Sequence, residues 1–402
     1  MARAISYVFR ITIVLYTFLS GFYFLGKPGG GGDEALFIAD LTLIKSEGWW
    51  VAIEKGISIP YMLLAYPLTF FLDLHVALRM VNLILFGALL YYFYKRLRIR
   101  KWDFYGLLLF FFSTVGYFMA GTNDTFFVVA LVIFIVETYR LLAYENKKSL
   151  AWCGVGLVLA FLTRKLIFVY LPVILLALFF LWKFRKVNLK TLMIPALLLI
   201  LGLGLNFPSL NSGNGISYDQ KLPPEGVSAT WPQRQYLAQL WVNEGKLSNY
   251  NHPNWKQTDA YLEKNGAESL PKGVLDGMLY DPELTLKEFF KDLVFSITYG
   301  VRQLGLILPT LLIMALLGLY RIRRLSWNSF VPWSLLIMIG IFSLLIISFV
   351  ELRWLAPVFI ASIFYFYTLS EQRKLSNVLV LANYAFVTLL SWYGMYGLFG
   401  KL

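Results

Sequence analysis

Apolar runs of roughly 17 to 22 residues recur along the whole of this chain, each about the length at which a helix crosses a hydrocarbon core of about 30 Å. A chain punctuated in this way reads as an all-α polytopic membrane protein. Composition agrees: of 402 residues, 58% are hydrophobic, 18% aromatic and only 15% charged, more apolar surface than a soluble protein of this length could hide. The first run, Ile5 to Leu25, lacks a convincing small-residue cleavage site and is long enough to stay as a span. The single cysteine, Cys153, excludes an internal disulfide, and two histidines, His75 and His252, exclude a multi-histidine metal site.

About eleven spans are expected, near 5–25, 76–94, 103–120, 125–143, 149–163, 166–182, 191–206, 303–320, 327–349, 354–370 and 376–397. They divide the chain into an amino-terminal transmembrane module (1–206), a long and partly helical loop (207–302) and a carboxy-terminal transmembrane module (303–402). The connections alternate in charge. One set holds Arg3, "KRLRIRK" (Lys95 to Lys101), "ENKK" (Glu145 to Lys148), "KFRK" (Lys183 to Lys186), "RIRR" (Arg321 to Arg324) and "EQRK" (Glu371 to Lys374). By the positive-inside rule this set is cytoplasmic, with the amino terminus inside. The net charge of +13 therefore belongs mainly to topology, and nucleic acid is not an expected partner. Short loops suit a bacterial inner membrane.

The other set faces away from the cytoplasm and collects the polar residues that topology leaves unexplained. Asp33 and Glu34 follow the first span, Arg79 lies near the start of the second, and Asn123-Asp124 sit before the fourth. Arg164-Lys165 separate the fifth and sixth, and Glu351 and Arg353 precede the tenth. Each has an ordinary reading: Asp33 as a helix N-cap, Asn123 or Asp124 as another, Arg164 and Lys165 as side chains at headgroup depth, Glu351 and Arg353 as a local pair. Together they put cations where topology predicts few, beside carboxylates. That combination suits a lipid phosphate meeting a general base, since arginine grips phosphate through two parallel bonds and lysine acts as a point charge.

Residues 27–75, rich in Trp and Tyr and broken by Gly56, Pro60 and Pro67, read as one or two helices along the membrane interface rather than an extra pair of spans. In the long loop, "TWPQRQYLAQLWVNEG" and "DPELTLKEFFKDLVFSITYG" read as helices, the second opening on Asp281-Pro282. A loop of that length suits a lid over the outward charges. His252, in "YNHPNW", is a further candidate for a metal or substrate contact.

The motifs "GGDEALFIADL", "ALRMVNLILFG", "GTNDTFFVVAL", "LTRKLIFVYLPVILL" and "ELRWLAPV", taken in order, resemble those of the GT-C superfamily of membrane glycosyltransferases. That group includes the protein O-mannosyltransferases and the lipid A aminoarabinose transferases. The chain departs from the pattern before the second span, where a proline-rich stretch is reduced to Pro60 and Pro67. The resemblance implies a GT-C-like fold and transfer of a sugar from a polyprenyl-phosphate carrier to a lipid, glycan or protein acceptor, with inversion, on the periplasmic or extracellular face. It implies Asp33 as catalytic base. Donor phosphate would fall to Arg353 first, then Lys165, Arg164 and Arg79. Glu34 and Asp124 would orient the acceptor or hold a divalent cation, Mg²⁺ or Mn²⁺, whose requirement stays open. Two alternatives also stay open: an O-antigen ligase or polymerase, and a lipid-linked sugar flippase or other transporter.

Overall fold

Helices are the only regular elements among the described residues of this computed structural model, which are 2–144, 147–184, 189–219, 226–248, 251–322, 325–347 and 349–401. Parts of the basic stretches at 145–148, 183–186 and 321–324, and of the turn-rich start of the long loop, lie outside them. Two compact units emerge: Met1–Asp219 with Val301–Leu335 and Arg353–Leu402, and Gln220–Gly300 with Leu336–Leu352.

The first unit opens with α1 (Ala2–Leu25), α2 (Glu34–Lys55), α3 (Ile59–Leu68), α4 (Leu74–Tyr91) and α5 (Trp102–Thr114). It continues with α6 (Asp124–Tyr144), α7 (Lys147–Thr163), α8 (Leu171–Phe184), α9 (Met193–Leu205) and α10 (Phe207–Asn211). The second unit holds α11 (Trp231–Asn243), α12 (Trp255–Asn265), α13 (Val274–Tyr280) and most of α14 (Pro282–Leu304). Then follow α15 (Ile307–Tyr320), α16 (Phe330–Leu344), α17 (Ala356–Glu371) and α18 (Asn377–Phe399).

Among the described residues, six stretches are long and apolar enough to cross a membrane: Arg3–Leu25, Leu74–Arg96, Asp124–Tyr144, Trp327–Leu344, Leu352–Glu371 and Asn377–Phe399. This is the pattern of an α-helical integral membrane protein. Eleven spans are thus not confirmed: the other five runs fold as the shorter apolar helices α5, α7, α8, α9 and α15, of 13, 17, 14, 13 and 14 residues. At about 1.5 Å per residue, helices of this length fall short of a core of about 30 Å. Local breaks explain several of them. Gly116, at φ 31°, follows the end of α5; Arg164 turns extended after α7; Gly305, at φ 64°, separates α14 from α15. Each of the two glycines takes a left-handed backbone that a side chain would oppose.

In the first unit, α6 packs against α7, α4, α17 and α8, while α1 packs against α18 and α5. Every residue of α17 from Ala356 to Phe366 is buried, so its sequence is apolar all round, as an interior helix requires. Peripheral helices instead expose large apolar side chains such as Phe18 (77%), Trp182 (80%) and Tyr396 (81%). A belt of this kind needs an apolar environment.

The stretch 34–68 forms α2 and α3, neither of them among the six long spans. Gly56 terminates α2 and Pro60 sits in the first turn of α3, as their chemistry predicts; Gly48, at φ 84°, adds an unforeseen kink within α2. Phe37, Leu41, Ile44, Tyr61 and Met62 close a small core with Leu78 and Val81 of α4. In the second unit, both helices anticipated in the long loop form. Thr230 and Gln233 make a capping box at α11, and Asp281 Oδ1 accepts from the Leu284 N–H at 3.0 Å where α14 begins.

Candidate functional site

Asp33 follows α1 across a glycine-rich turn, Asp124 opens α6, Arg164 follows α7, and Arg353 lies in the single 3₁₀ turn Leu352–Leu355 that leads into α17. The fold brings these four together. Arg353 Nη2 donates to Asp33 Oδ2 at 2.7 Å, and its Nη1 donates to Asp124 Oδ2 at 3.0 Å. Arg164 Nη1 pairs with the other oxygen of Asp124. The exposed Tyr117 lies against the node, its ring centroid 4.9 Å from the Arg353 guanidinium carbon, a separation suited to a cation–π contact. The Tyr170 hydroxyl donates to the Trp354 carbonyl and holds the Arg353 turn in place.

Accessibility separates the two acids. The Asp124 side chain is 4% exposed and Arg353 7%, whereas Asp33 retains 25%. Asp33 is thus the carboxylate a ligand can reach. It occupies the N-cap position of α2 but makes no side-chain capping bond, so its carboxylate serves Arg353 and not the helix end.

Glu34 and Arg79 are joined differently. Arg79 directs Nε and Nη2 to the two oxygens of Glu34 at 2.8 and 2.9 Å. Its remaining donors reach the carbonyls of Leu25, Lys27 and Pro28. All the guanidinium N–H groups are taken, and they fasten the end of α1 to α4. Glu34 is equally filled, because Oε1 also accepts from Gly121 N and Oε2 from Gly30 N, at 2.8 and 2.9 Å. A carboxylate has about four acceptor positions, and all are used. The substrate roles expected for Glu34 and Arg79 find no group left to perform them. This pair is the clamp that sets the Asp33 turn. Burial alone would raise the Glu34 carboxyl, but Arg79 and the two backbone donors outweigh it and hold it below its ordinary 4.5.

The "GTND" turn carrying Asp124 is fixed from three sides. Glu34 takes the Gly121 N–H, Asn82 donates to the carbonyls of Ala120 and Thr122, and Asn123 Nδ2 donates to the Thr163 carbonyl at 3.2 Å and Asp219 Oδ1 at 3.0 Å. Asn123 therefore links the Asp124 turn to the end of α7. Gly121 is required by space: a Cβ there would stand 2.5 Å from Leu78 Cβ and 2.8 Å from Glu34 Oε1.

Sequence reasoning passed over Tyr117, Asn82, Asp219 and Asp40. The last, on α2, has its carboxyl raised to about 7 by burial, with repulsion from Asp219 adding to it. Two of them stand inside motifs quoted above, Asp40 in "GGDEALFIADL" and Asn82 in "ALRMVNLILFG", yet nothing local marks either as part of the site. Lys165 is exposed beside Arg164 and has no ion pair among the described residues. Glu351 and His252 belong to the second unit, where the His252 ring stacks on Phe349 at 6.2 Å.

Among the described residues, no group of three or more His, Cys, Asp and Glu side chains is disposed to hold a metal ion. The carboxylates considered for one, Glu34 and Asp124, both face guanidinium groups. No family model, curated protein or solved structure matches the chain. The site is therefore read from its own chemistry: a reachable carboxylate whose counter-ion is an arginine that an incoming anion can also bind.

Proposed function

We propose that this protein transfers a sugar from a polyprenyl-phosphate carrier to an acceptor on the non-cytoplasmic side of the membrane, with Asp33 as general base. The observation that carries the reading is the fork of Arg353 between Asp33 and Asp124. A phosphate arriving at Arg353 competes with Asp33 for the same Nη2 donor. Once it has bound, Asp33 loses its strongest counter-ion and becomes the better proton acceptor.

The acceptor hydroxyl or amine then attacks the anomeric carbon from the face opposite the phosphate. Its proton passes to Asp33, a new bond forms at that carbon, and the carbon–oxygen bond to phosphate breaks. The electron pair leaves on the polyprenyl phosphate, and the configuration inverts. Arg353 offsets the charge that develops on the departing oxygen, and Lys165 adds a point charge at the rim. Arg164 keeps Asp124 neutralised when Arg353 turns to the donor. The resemblance of the five motifs to GT-C glycosyltransferases supports the same assignment, as does the alternation of charge in the loops.

Mass spectrometry of membrane lipids and surface glycans from cells carrying wild type, a deletion or Asp33→Asn tests this. Loss of one sugar from an acceptor, with accumulation of a monosaccharide polyprenyl phosphate in both the deletion and the variant, is the expected result. Wild-type glycans in the Asp33→Asn strain, against altered ones in the deletion, would remove Asp33 from the chemistry.

A further inference from the structure

Toward the other end of α6 from Asp124, about 20–24 Å along a continuous helix, Glu137 and Arg140 belong to a second charged constellation beside a cavity. Glu137 is fully buried. It accepts from the Tyr92 hydroxyl at 2.9 Å, from Arg96 Nε at 3.2 Å, and from Arg140 Nη1 at 3.2 Å. The chain reaches this point through a π-helical turn, Tyr92–Arg96, and continues through Arg98, whose φ of 58° lies in the left-handed region. Both are uncommon conformations for such residues and tend to occur where side chains are re-aimed for a purpose. Together they bring Lys95, Arg96 and Arg98 to Arg140 around a cavity of about 380 Å³, with Leu97 completing its wall.

We propose that this cavity binds a phosphate-bearing anion at the basic end of the protein. Topology asks for positive charge in this loop but not for a cavity. Nor does it ask for a buried carboxylate that fixes two guanidinium groups at its wall. Four cations line the space against the single charge of Glu137, which is itself turned toward Arg96 and Arg140. Glu137 holds Arg96 and Arg140 at the wall in advance, which lowers the cost of ordering them for an oxygen acceptor. Lys95 and Arg98 are exposed, have no ion pair among the described residues, and can close on the ligand. The volume admits a phosphate group together with its first substituent, so both an anionic lipid headgroup and a soluble phosphate compound fit the chemistry. The proposal does not rest on the transferase reading.

Full-length protein purified in a non-ionic detergent separates these sources. One calorimetric titration uses inorganic phosphate. Others use mixed micelles containing short-chain phosphatidylglycerol or, as the net-neutral control, phosphatidylcholine. The variant is Lys95→Gln/Arg98→Gln, which leaves the Glu137 pairs untouched and so keeps the fold. Saturable binding weakened about tenfold or more in the variant supports the site: if inorganic phosphate suffices, the ligand is a soluble anion; if only phosphatidylglycerol binds, it is a headgroup. Absence of saturable binding in every titration, equal binding of the two lipids, or equal affinity of wild type and variant would overturn it.

Discussion

Arg353 Nη2 and Asp33 Oδ2 lie 2.7 Å apart although 320 positions separate the two residues in the chain. The same guanidinium reaches Asp124, so one side chain ties the turn after α1 to the start of α6 and the entry to α17. A lysine ammonium has donors enough but lacks the planar, rigid fork that spans Asp33 and Asp124 and the guanidinium face available to Tyr117. Arg353→Lys is expected to fold yet lose transfer by about a hundredfold, the scale of one well-placed charge stabiliser. Arg353→Gln additionally removes one charged hydrogen bond each from Asp33 and Asp124, with Arg164 still on Asp124, and destabilises by about 1.5–3 kcal/mol. Glycan analysis and thermal unfolding in detergent check the two effects separately. Full transfer in Arg353→Lys would mean that the fork serves only the fold.

Asp33 and Glu34 are neighbours with opposite expectations. Asp33→Asn removes a partly exposed carboxylate, so stability should change by less than about 1 kcal/mol while transfer falls by about 10²- to 10⁴-fold. Glu34→Gln breaks the buried clamp with Arg79 and should destabilise by about 3 kcal/mol or more. The two variants compared in one unfolding assay decide the assignment.

The same clamp gives an acid-side signature. The Glu34 carboxyl titrates below its ordinary 4.5 in the folded protein, so the folded state binds its proton less readily than the unfolded chain does. The stability it contributes is present above about pH 4.5 and is lost as pH falls through the folded value. Thermal unfolding of wild type should decline over that acid range more steeply than that of Glu34→Gln. Parallel curves would show that the clamp contributes no such linkage.

What the sequence disclosed follows from what is local. Span-length apolar runs, glycine and proline breaks at Gly56 and Pro60, and the Asp281-Pro282 helix start are written within a few residues of where they act. The gathering of Asp33, Asp124, Arg164 and Arg353 was legible one step further off, because loops of like charge pattern mark one end of a bundle. Which acid meets which base was not. Glu34 and Arg79 differ from Asp33 and Arg353 only in where α4 and α17 place them, and no local pattern records that Gly121 and Gly30 fill the oxygens of Glu34. One helix length was misread for a related reason: apolar sequence continues past the end of α5, while Gly116 stops the helix itself.

Gly121 offers a test of the turn without touching any charged group. A methyl there meets Leu78 Cβ at 2.5 Å and Glu34 Oε1 at 2.8 Å, so α4 or the Glu34 carboxylate must shift. Overpacking of this kind is expected to destabilise Gly121→Ala by about 1–3 kcal/mol. It should also lower transfer, because Asp124 is carried on the displaced turn. Gly204→Ala, where a Cβ meets nothing within 4 Å, is the matched control. Equal unfolding temperatures for the two variants would mean that the turn adapts.

Asp40 supplies a pH dependence of the opposite sign. Burial, reinforced by Asp219, raises its carboxyl from 3.8 to about 7. The folded protein therefore holds this proton more tightly than the unfolded chain. Its contribution to stability is complete below about pH 4 and is lost as pH rises through 7. Asp40 Oδ2 is also buried without a hydrogen-bond partner among the described residues, so the ionised form gains little from its surroundings. Asp40→Asn keeps the shape and removes the titration. Against wild type it should unfold at a higher temperature at pH 8, with the advantage shrinking as pH falls to 5. A wild-type curve that instead runs parallel to that of Asp40→Asn from pH 5 to 8 would mean that Asp40 is ionised throughout, with Asp219 too far away to oppose it.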